Sequence, residues 1–589
     1  MLKELQKNQR ILTILCFLGI FVLLQYAFLT PGLDPARTVI NYLLILPLFG
    51  LLLLVTRRSD LAFVILSLIL YVVHYIDAAV YSARLTHLRY SDLFAVGDAL
   101  RVADKYSFYF SKQQAILLAF ILLADAAIVI AAKRMPEKQS TVGNTVAGGV
   151  TIVISLALLI LGTAYGFLPD PMQSIDDNFD INGMVERDGL YYSLYGQYLH
   201  SGIKVPDGYS EERAQEIMNR YADREGNEEA ARVIVIMNEA LADYSLIGKT
   251  SFDDPLINIH DPENSYFEGK LAVSVFGGYT CNTEFEFLTG CSMRFFPQEY
   301  IPFTQLITSN LYSFAWDMKD LGMYTTGIHP YYSQEWNRRQ VYQWLGFEQF
   351  IAGEEFSSGL SDESEIRNIT DTKLKTLDFG ADLEYIRGFI SDAEGYRKTV
   401  ETLDTRGSNS FVFLVTVQNH GGYDYEGSDF LSTEYIPGER ELNQYLTCSA
   451  ISDAAFQSFL DDLAEDSQKT VVLMFGDHQP GLDFSTYVNA DEEDPFAIYY
   501  VPYVVWSNFE MEADLPAVTS ANYLSAILKQ CGGLPLTSWD QFRLDAMEQY
   551  PVMTGNFVLD ADMSIVSEDE FGSGLLKEYA IVQYDRIKR

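Results

Sequence analysis

Cysteine is scarce in this chain, and so is positive charge. Five Cys in 589 residues are too few for a disulfide framework. Cys16 lies in an apolar run, and Cys281, Cys291, Cys448 and Cys531 fit no metal-ligand spacing. Cys448 and Cys531 are free to pair, though nothing in the sequence requires it. Lys and Arg number 41 against 80 Asp and Glu, for a net charge of −39. The deficit is uneven: residues 1–169 carry 14 Lys/Arg against 9 Asp/Glu, a net of +5, which leaves −44 on residues 170–589. A surface that acidic repels a phosphate backbone, so no nucleic-acid partner is expected. There is no internal repeat and no low-complexity tract, so the length corresponds to two or three ordinary domains.

What the chain does have is apolar length at its beginning. Five runs, roughly 11–30, 38–56, 61–80, 115–132 and 146–168, are long enough to cross a bilayer. Lys3, Lys7 and Arg10 precede the first, Arg57 and Arg58 separate the second and third, and Lys133, Arg134 and Lys138 separate the fourth and fifth. Basic groups prefer the cytoplasmic side. Placing all three groups there predicts a multi-pass protein of the cell membrane with everything after Phe167 outside. In the outer loop 81–114, the spacing of Leu93, Val96, Leu100 and Ala103 predicts an amphipathic surface helix. His74, Asp77 and Asp125 fall in or near the spans, where ionisable groups are either functional or paired with neighbouring spans; pairing is the simpler expectation here. The sequence thus divides into a transmembrane domain (1–168), a helical linker (169–231) with helices over about 185–200 and 209–224, and a catalytic domain (232–589).

After Ala231, short β-branched runs alternate with helical patterns. The runs are 232–237, 271–276, 323–328, 411–417, 470–475 and 499–506. Continuous apolar strands between helices predict an α/β domain whose mostly parallel sheet is sandwiched by helices. In such sheets ligands bind beyond the carboxyl ends of the strands. Polar residues stand at those ends: Asn238-Glu239, Thr280, His329, Asn419-His420 and Gly476-Asp477-His478. Glu239, Thr280, Asp477 and His478 form an oxygen-rich set with one imidazole, suited to a single Mn²⁺, Mg²⁺ or Zn²⁺.

The stretch Gly277-Gly278-Tyr279-Thr280-Cys281-Asn282-Thr283-Glu284 joins the second run to a helix expected from Asn282 onward. Two glycines permit a tight turn. A hydroxyl on that turn faces the positive end of a helix, which stabilises an alkoxide and attracts phosphate.

These motifs, together with Glu335-Trp336-Asn337-Arg338, Asn419-His420-Gly421, Gly476-Asp477-His478 and the ending Glu578-Tyr579…Gln583-Tyr584-Asp585, resemble those of the lipoteichoic acid synthases. They also resemble the related phosphoglycerol transferases of the sulfatase/alkaline-phosphatase superfamily. The resemblance implies a membrane-bound phosphotransferase that moves glycerol phosphate from phosphatidylglycerol to a glycolipid, teichoic or glycan acceptor. It makes Thr280 the nucleophile, with Glu239, Thr280, Asp477 and His478 as ligands of a Mn²⁺-like ion. Trp336, Arg338, His420 and His329 match substrate-holding residues. Two positions depart from the pattern: Tyr331 stands where the synthases have an acid, and Cys281 stands where a small hydroxyl residue is usual.

Rival activities lack their residues. Formylglycine sulfatases need a Cys or Ser followed by x-Pro-x-Arg, whereas Cys281 is followed by Asn282-Thr283-Glu284. A two-metal phosphatase needs Asp four residues before a ligand His. Leu256, Thr325, Thr416 and Met474 precede His260, His329, His420 and His478 at that spacing. A phosphoethanolamine transferase or another phosphoesterase of the superfamily remains an alternative, as does an inactive scaffold.

Overall fold

The computed structural model describes residues 35–84, 87–94, 112–134, 141–165, 168, 181–199, 201–226, 231–261, 266–297, 300–333, 335–356, 383–407, 409–490, 496–511 and 515–588. The chain divides into two compact units, residues 1–93 with 108–202, and residues 94–107 with 203–589.

Among the described residues of the first unit, three helical stretches are long and apolar enough to cross a membrane, against the five expected over the whole chain: Arg37–Thr56, Ser59–Tyr81 and Gly143–Ala164. The helix Lys112–Arg134 stands where a fourth was expected, with a shorter apolar stretch, Gln114–Ile130. The run 11–30 and residues 95–103 of the proposed surface helix lie outside the described residues. Helices Pro35–Thr56 and Thr141–Ala164 approach closely at two glycines. A Cβ on Gly50 would lie 2.8 Å from Gly148 O, and one on Gly148 would lie 2.8 Å from Gly50 O. Close backbone approach at small residues is how apolar helices associate when lipid offers no hydrophobic drive.

The ionisable residues of this unit are paired. Ser67 Oγ donates to Asp125 at 2.9 Å, from one span to another. Asp77 instead pairs with His87, at 3.0 Å, and accepts from Leu88 N. His74 Nδ1 lies 3.2 Å from Tyr191 Oη. The helix expected over 185–200 is two helices, Ile181–Asp188 and Leu190–Leu199, broken at Gly189 with φ 84°.

The second unit opens with helix Glu211–Met218, whose cap Ser210 accepts from Arg213 N. It is built on an eight-stranded sheet. In chain order the strands are β1 Arg232–Asn238, β2 Tyr266–Ala272, β3 Tyr324–His329, β4 Gln349–Ala352, β5 Ser410–Val415, β6 Thr470–Gly476, β7 Tyr500–Ser507 and β8 Val518–Ser520. Their spatial order is β8-β2-β7-β6-β1-β5-β3-β4. Only β7 runs antiparallel to its neighbours; β6, β1, β5, β3 and β4 pair in parallel. β1 is central because every residue in it is buried. Its side chains alternate between two cores. Val233, Val235 and Met237 face one core with Phe285, Phe287 and Tyr342, while Ile234 and Ile236 face the other with Tyr396, Phe456 and Phe459. Each such burial contributes roughly 1.5–3 kcal/mol. Continuous hydrophobicity therefore marks a strand covered by helices on both faces.

Only Leu271 and Ala272 of the run 271–276 belong to a strand. β2 begins at Tyr266 and ends at Ala272, so Thr280 is reached through a loop. Leu271, Val273 and Val275 are nevertheless buried, which is why that loop has strand-like composition. The short edge strands β4 and β8, which no apolar run predicts, complete the sheet.

Candidate active site

The turn before Thr280 is wound in the left-handed region. Gly277 has φ 67°, Gly278 φ 150° and Tyr279 φ 64°. Gly277 N donates to Gln479 O at 3.0 Å, which fastens the turn to the segment after β6. The helix spans Thr280–Thr289 and starts at Thr280 itself, two residues earlier than expected, with no acid in its first turn. Thr283 Oγ1 donates to Asp477 O at 2.8 Å, and Asn282 Nδ2 donates to Tyr300 O at 2.9 Å. Thr280 is thus held at a helix N-terminus by contacts on both sides.

Glu239 follows β1, and Asp477 and His478 follow β6. Each offers one ligand atom to a common point, and those atoms lie within 4.8 Å of one another. Thr280 Oγ1 joins them, 3.3 Å from Glu239 Oε2 and 3.5 Å from His478 Nε2. Asp477 Oδ1 accepts from Ala240 N and His478 N. Asp477 Oδ2 is buried and accepts no hydrogen bond, 3.2 Å from His478 Nε2. His478 Nδ1 lies 2.8 Å from Gln479 O; a carbonyl only accepts, so Nδ1 carries the proton and the Nε2 lone pair faces the cluster. Burial, followed by repulsion from Asp477, raises the Glu239 carboxyl well above its ordinary range. Two buried carboxylates, an orphaned oxygen, a hydroxyl and an aimed imidazole are a donor set that fits one divalent cation.

A second group adjoins the first. Arg338 is 1 % exposed and donates to Glu284 from Nε (3.0 Å) and Nη2 (2.7 Å), and to Glu335 from Nη1 (2.9 Å). Tyr342 Oη donates to Glu284 at 2.6 Å. His329, at the end of β3, sets Nδ1 2.9 Å from Val415 O and Nε2 3.1 Å from Glu335 Oε2. Burial pushes the Glu335 carboxyl up, but the His329 hydrogen bond and the Arg338 charge overcome it and hold the group at about 2. Trp336 and Asn337 have φ 51° and 56°, conformations that cost of order 1–3 kcal/mol each and cluster at functional sites. The Trp336 ring lies 6.0 Å from that of Tyr279, on the turn before Thr280. The His420 ring lies 5.5 Å from that of Phe389, tilted by 41°, and burial lowers its imidazole's proton affinity while Glu335 raises it. Of the eight residues expected at the site, Glu239, Thr280, Asp477 and His478 lie together, while Trp336, Arg338, His329 and His420 lie around Glu335 and the Thr280 turn.

The sulfatase family model matches residues 231–533. The chain belongs to the sulfatase family. It does so without the formylglycine pattern, since Thr280 occupies the turn and Cys281 is followed by Asn282. A putative cyclic β-1,2-glucan modification protein of Rhizobium meliloti is 28% identical over 51% of this chain and 45% of its own length. Lipoteichoic acid synthase 1 of Bacillus subtilis is 22% identical over 56% of this chain and 50% of its own. The chain thus spans about half the length of these curated relatives. The solved Streptococcus pyogenes phosphoglycerol transferase GacH, in complex with sn-glycerol-1-phosphate, has a TM-score of 0.51 and 22% identity over 65% of this chain and 95% of that one. It shares the fold of this sulfatase-family domain.

Three groups at the site had no role in the sequence reading. Glu284 and Glu335 were visible only as parts of motifs, because their shared partner is a matter of tertiary contact. Arg387 donates to the carbonyls of Gln418, His420 and Gly422 and so fixes the loop bearing His420; nothing in the sequence signals it. Asp243, His260 and Glu268 also lie within ligand distance of one another. There His260 is already shared between Asp243 at 3.0 Å and Asp254 at 2.6 Å, so the group is an ion-pair cluster. The pairing left open for Cys448 and Cys531 does not occur: both are buried, and no disulfide joins them.

Proposed function

We propose that this chain is a divalent-metal-dependent phosphotransferase of the cell membrane. It moves glycerol phosphate from phosphatidylglycerol to a hydroxyl of a glycolipid, teichoic or glycan acceptor outside the cell. The observation that carries the reading is the convergence of Thr280 Oγ1 on Glu239 and His478 at 3.3 and 3.5 Å, on a left-handed turn at a helix N-terminus. Glu239, Thr280, Asp477 and His478 would hold the ion, with Mn²⁺ the first candidate. When bound, it lowers the pKa of the Thr hydroxyl and neutralises a phosphate oxygen.

Thr280 Oγ1 attacks the phosphorus, and the bond from phosphorus to the diacylglycerol oxygen breaks. That oxygen takes a proton from His420 or water. The helix N-terminus beneath Thr280 favours the phosphoryl charge. An acceptor hydroxyl then attacks the glycerophosphoryl-Thr280 ester and gives up its proton to the same base, the phosphorus–Thr280 oxygen bond breaks, and Thr280 Oγ1 regains from water the proton it released to water in the first step. Arg338, already engaged by two carboxylates, supports the head-group wall through Glu335.

The test is incubation of the purified chain with labelled phosphatidylglycerol and Mn²⁺, quenched during turnover. Mass spectrometry should find a glycerophosphate adduct on the peptide containing Thr280. Diacylglycerol release with no adduct on any peptide would refute the covalent route.

A further inference from the structure

We infer that Glu335 is the specificity residue of the donor site, accepting a hydrogen bond from a hydroxyl at the far end of the phosphodiester head group. The inference rests on the transfer reading above and concerns which head group the site takes. Every hydrogen bond to this carboxylate among the described residues goes to Oε2, from Arg338 Nη1 at 2.9 Å and at the His329 contact of 3.1 Å. Oε1 accepts none and is not among the atoms sealed from solvent; the side chain keeps 10 % exposure. Glu335 lies close enough to Glu239 and His420 to interact electrostatically with both, and its neighbour Trp336 sets its ring 6.0 Å from that of Tyr279, on the turn before Thr280.

An ionised carboxylate can only accept. It also repels a phosphate oxygen, so it must meet a part of the substrate that donates. In a phosphodiester, that part is the head-group end beyond the phosphorus. The adjoining Arg338 guanidinium favours a neutral donor over an ammonium group. The strained residues Trp336 and Asn337 hold the carboxylate in place at a conformational cost that a surface glutamate would not carry.

The experiment compares three lipids with the same acyl chains on the purified full-length enzyme with Mn²⁺. Phosphatidylglycerol presents hydroxyls, phosphatidylethanolamine an ammonium, and phosphatidylpropanol no donor. A hydrogen bond to a charged group is worth about tenfold or more in discrimination. Wild type should prefer phosphatidylglycerol to phosphatidylpropanol by about that factor in kcat/KM, and Glu335→Ala and Glu335→Gln should each shrink the ratio. Loss of rate on both lipids with the ratio preserved would mean that Glu335 only supports Arg338, and would overturn the inference. Equal wild-type rates on the two lipids would do the same without any variant. A wild-type preference for phosphatidylethanolamine would reassign the donor as an ammonium and refute the hydroxyl. A wild type that turns over none of the three lipids would overturn the transfer reading itself, and this inference with it.

Discussion

Arg338 and Glu284 form an ion pair 2.7 Å long in which the two side chains are 1 % and 0 % exposed. Glu284 lies on the Thr280–Thr289 helix, and Arg338 follows the Glu335–Asn337 turn. The pair therefore locks the Thr280 helix to the segment that carries Trp336 and Glu335. Removing the cation strands a buried carboxylate. Arg338→Met should cost about 3–5 kcal/mol by denaturant unfolding. The double change Arg338→Met with Glu284→Leu should recover much of that loss, because it removes the stranded charge as well. Additive losses would show that the pair carries no coupling.

Thr280→Ala should lower kcat/KM by about 10³-fold or more, roughly 4 kcal/mol of barrier, with little change in thermal unfolding. The turn is made by Gly277, Gly278 and Tyr279 and tied down through Gln479. Cys281→Ala should stay near wild-type activity, since Cys281 is buried and is not one of the four residues assigned to the ion. Retained activity in the Thr280 variant together with loss in the Cys281 variant would reverse the assignment.

Asp477→Ala and His478→Ala should each lose bound Mn²⁺ by elemental analysis while keeping a folded sheet. Both residues lie beyond the last residue of β6, so the sheet does not depend on them. Unchanged metal content in both variants would remove the ion from this position.

His260 gives a pH signature. Hydrogen bonds to Asp243, then Asp254, then Glu268, raise its imidazole to about 12. A raised folded value stabilises the protein fully below the unfolded value of about 6.5, and that contribution falls as pH rises from there toward about 12. The gap in thermal unfolding between wild type and His260→Gln should be wider at pH 6 than at pH 9. A gap that widens with pH would mean the imidazole is neutral in the folded state.

Orientation has its own test. Protease added to intact cells should release an acidic fragment from residues 170–589, because all three basic groups of the first unit are assigned to the cytoplasm. Protection until lysis would invert the topology.

The proximity of Glu239, Thr280, Asp477 and His478 was legible because each member ends a run of buried β-branched residues or follows a glycine turn. Both signals are local. The start of the Thr280 helix was displaced by two residues because Asn282 looks like a cap, whereas the structure spends its side chain on Tyr300 O. β2 was misplaced because the loop after it is as buried as a strand. Glu284 and Glu335 were unassigned for a different reason. Glu284 meets Arg338 across 54 residues, and no periodicity records such a pair.

The cation position has one further consequence, for the order of assembly. Thr280 is 41 residues from Glu239 and 198 from His478. No short peptide contains the set, so an ion has nothing to chelate in the unfolded chain, and closing loops of that length is left to the sheet. A zinc finger is templated by its metal; here the scaffold must come first. Chelation should therefore silence the enzyme while leaving a folded protein, ready to be reloaded.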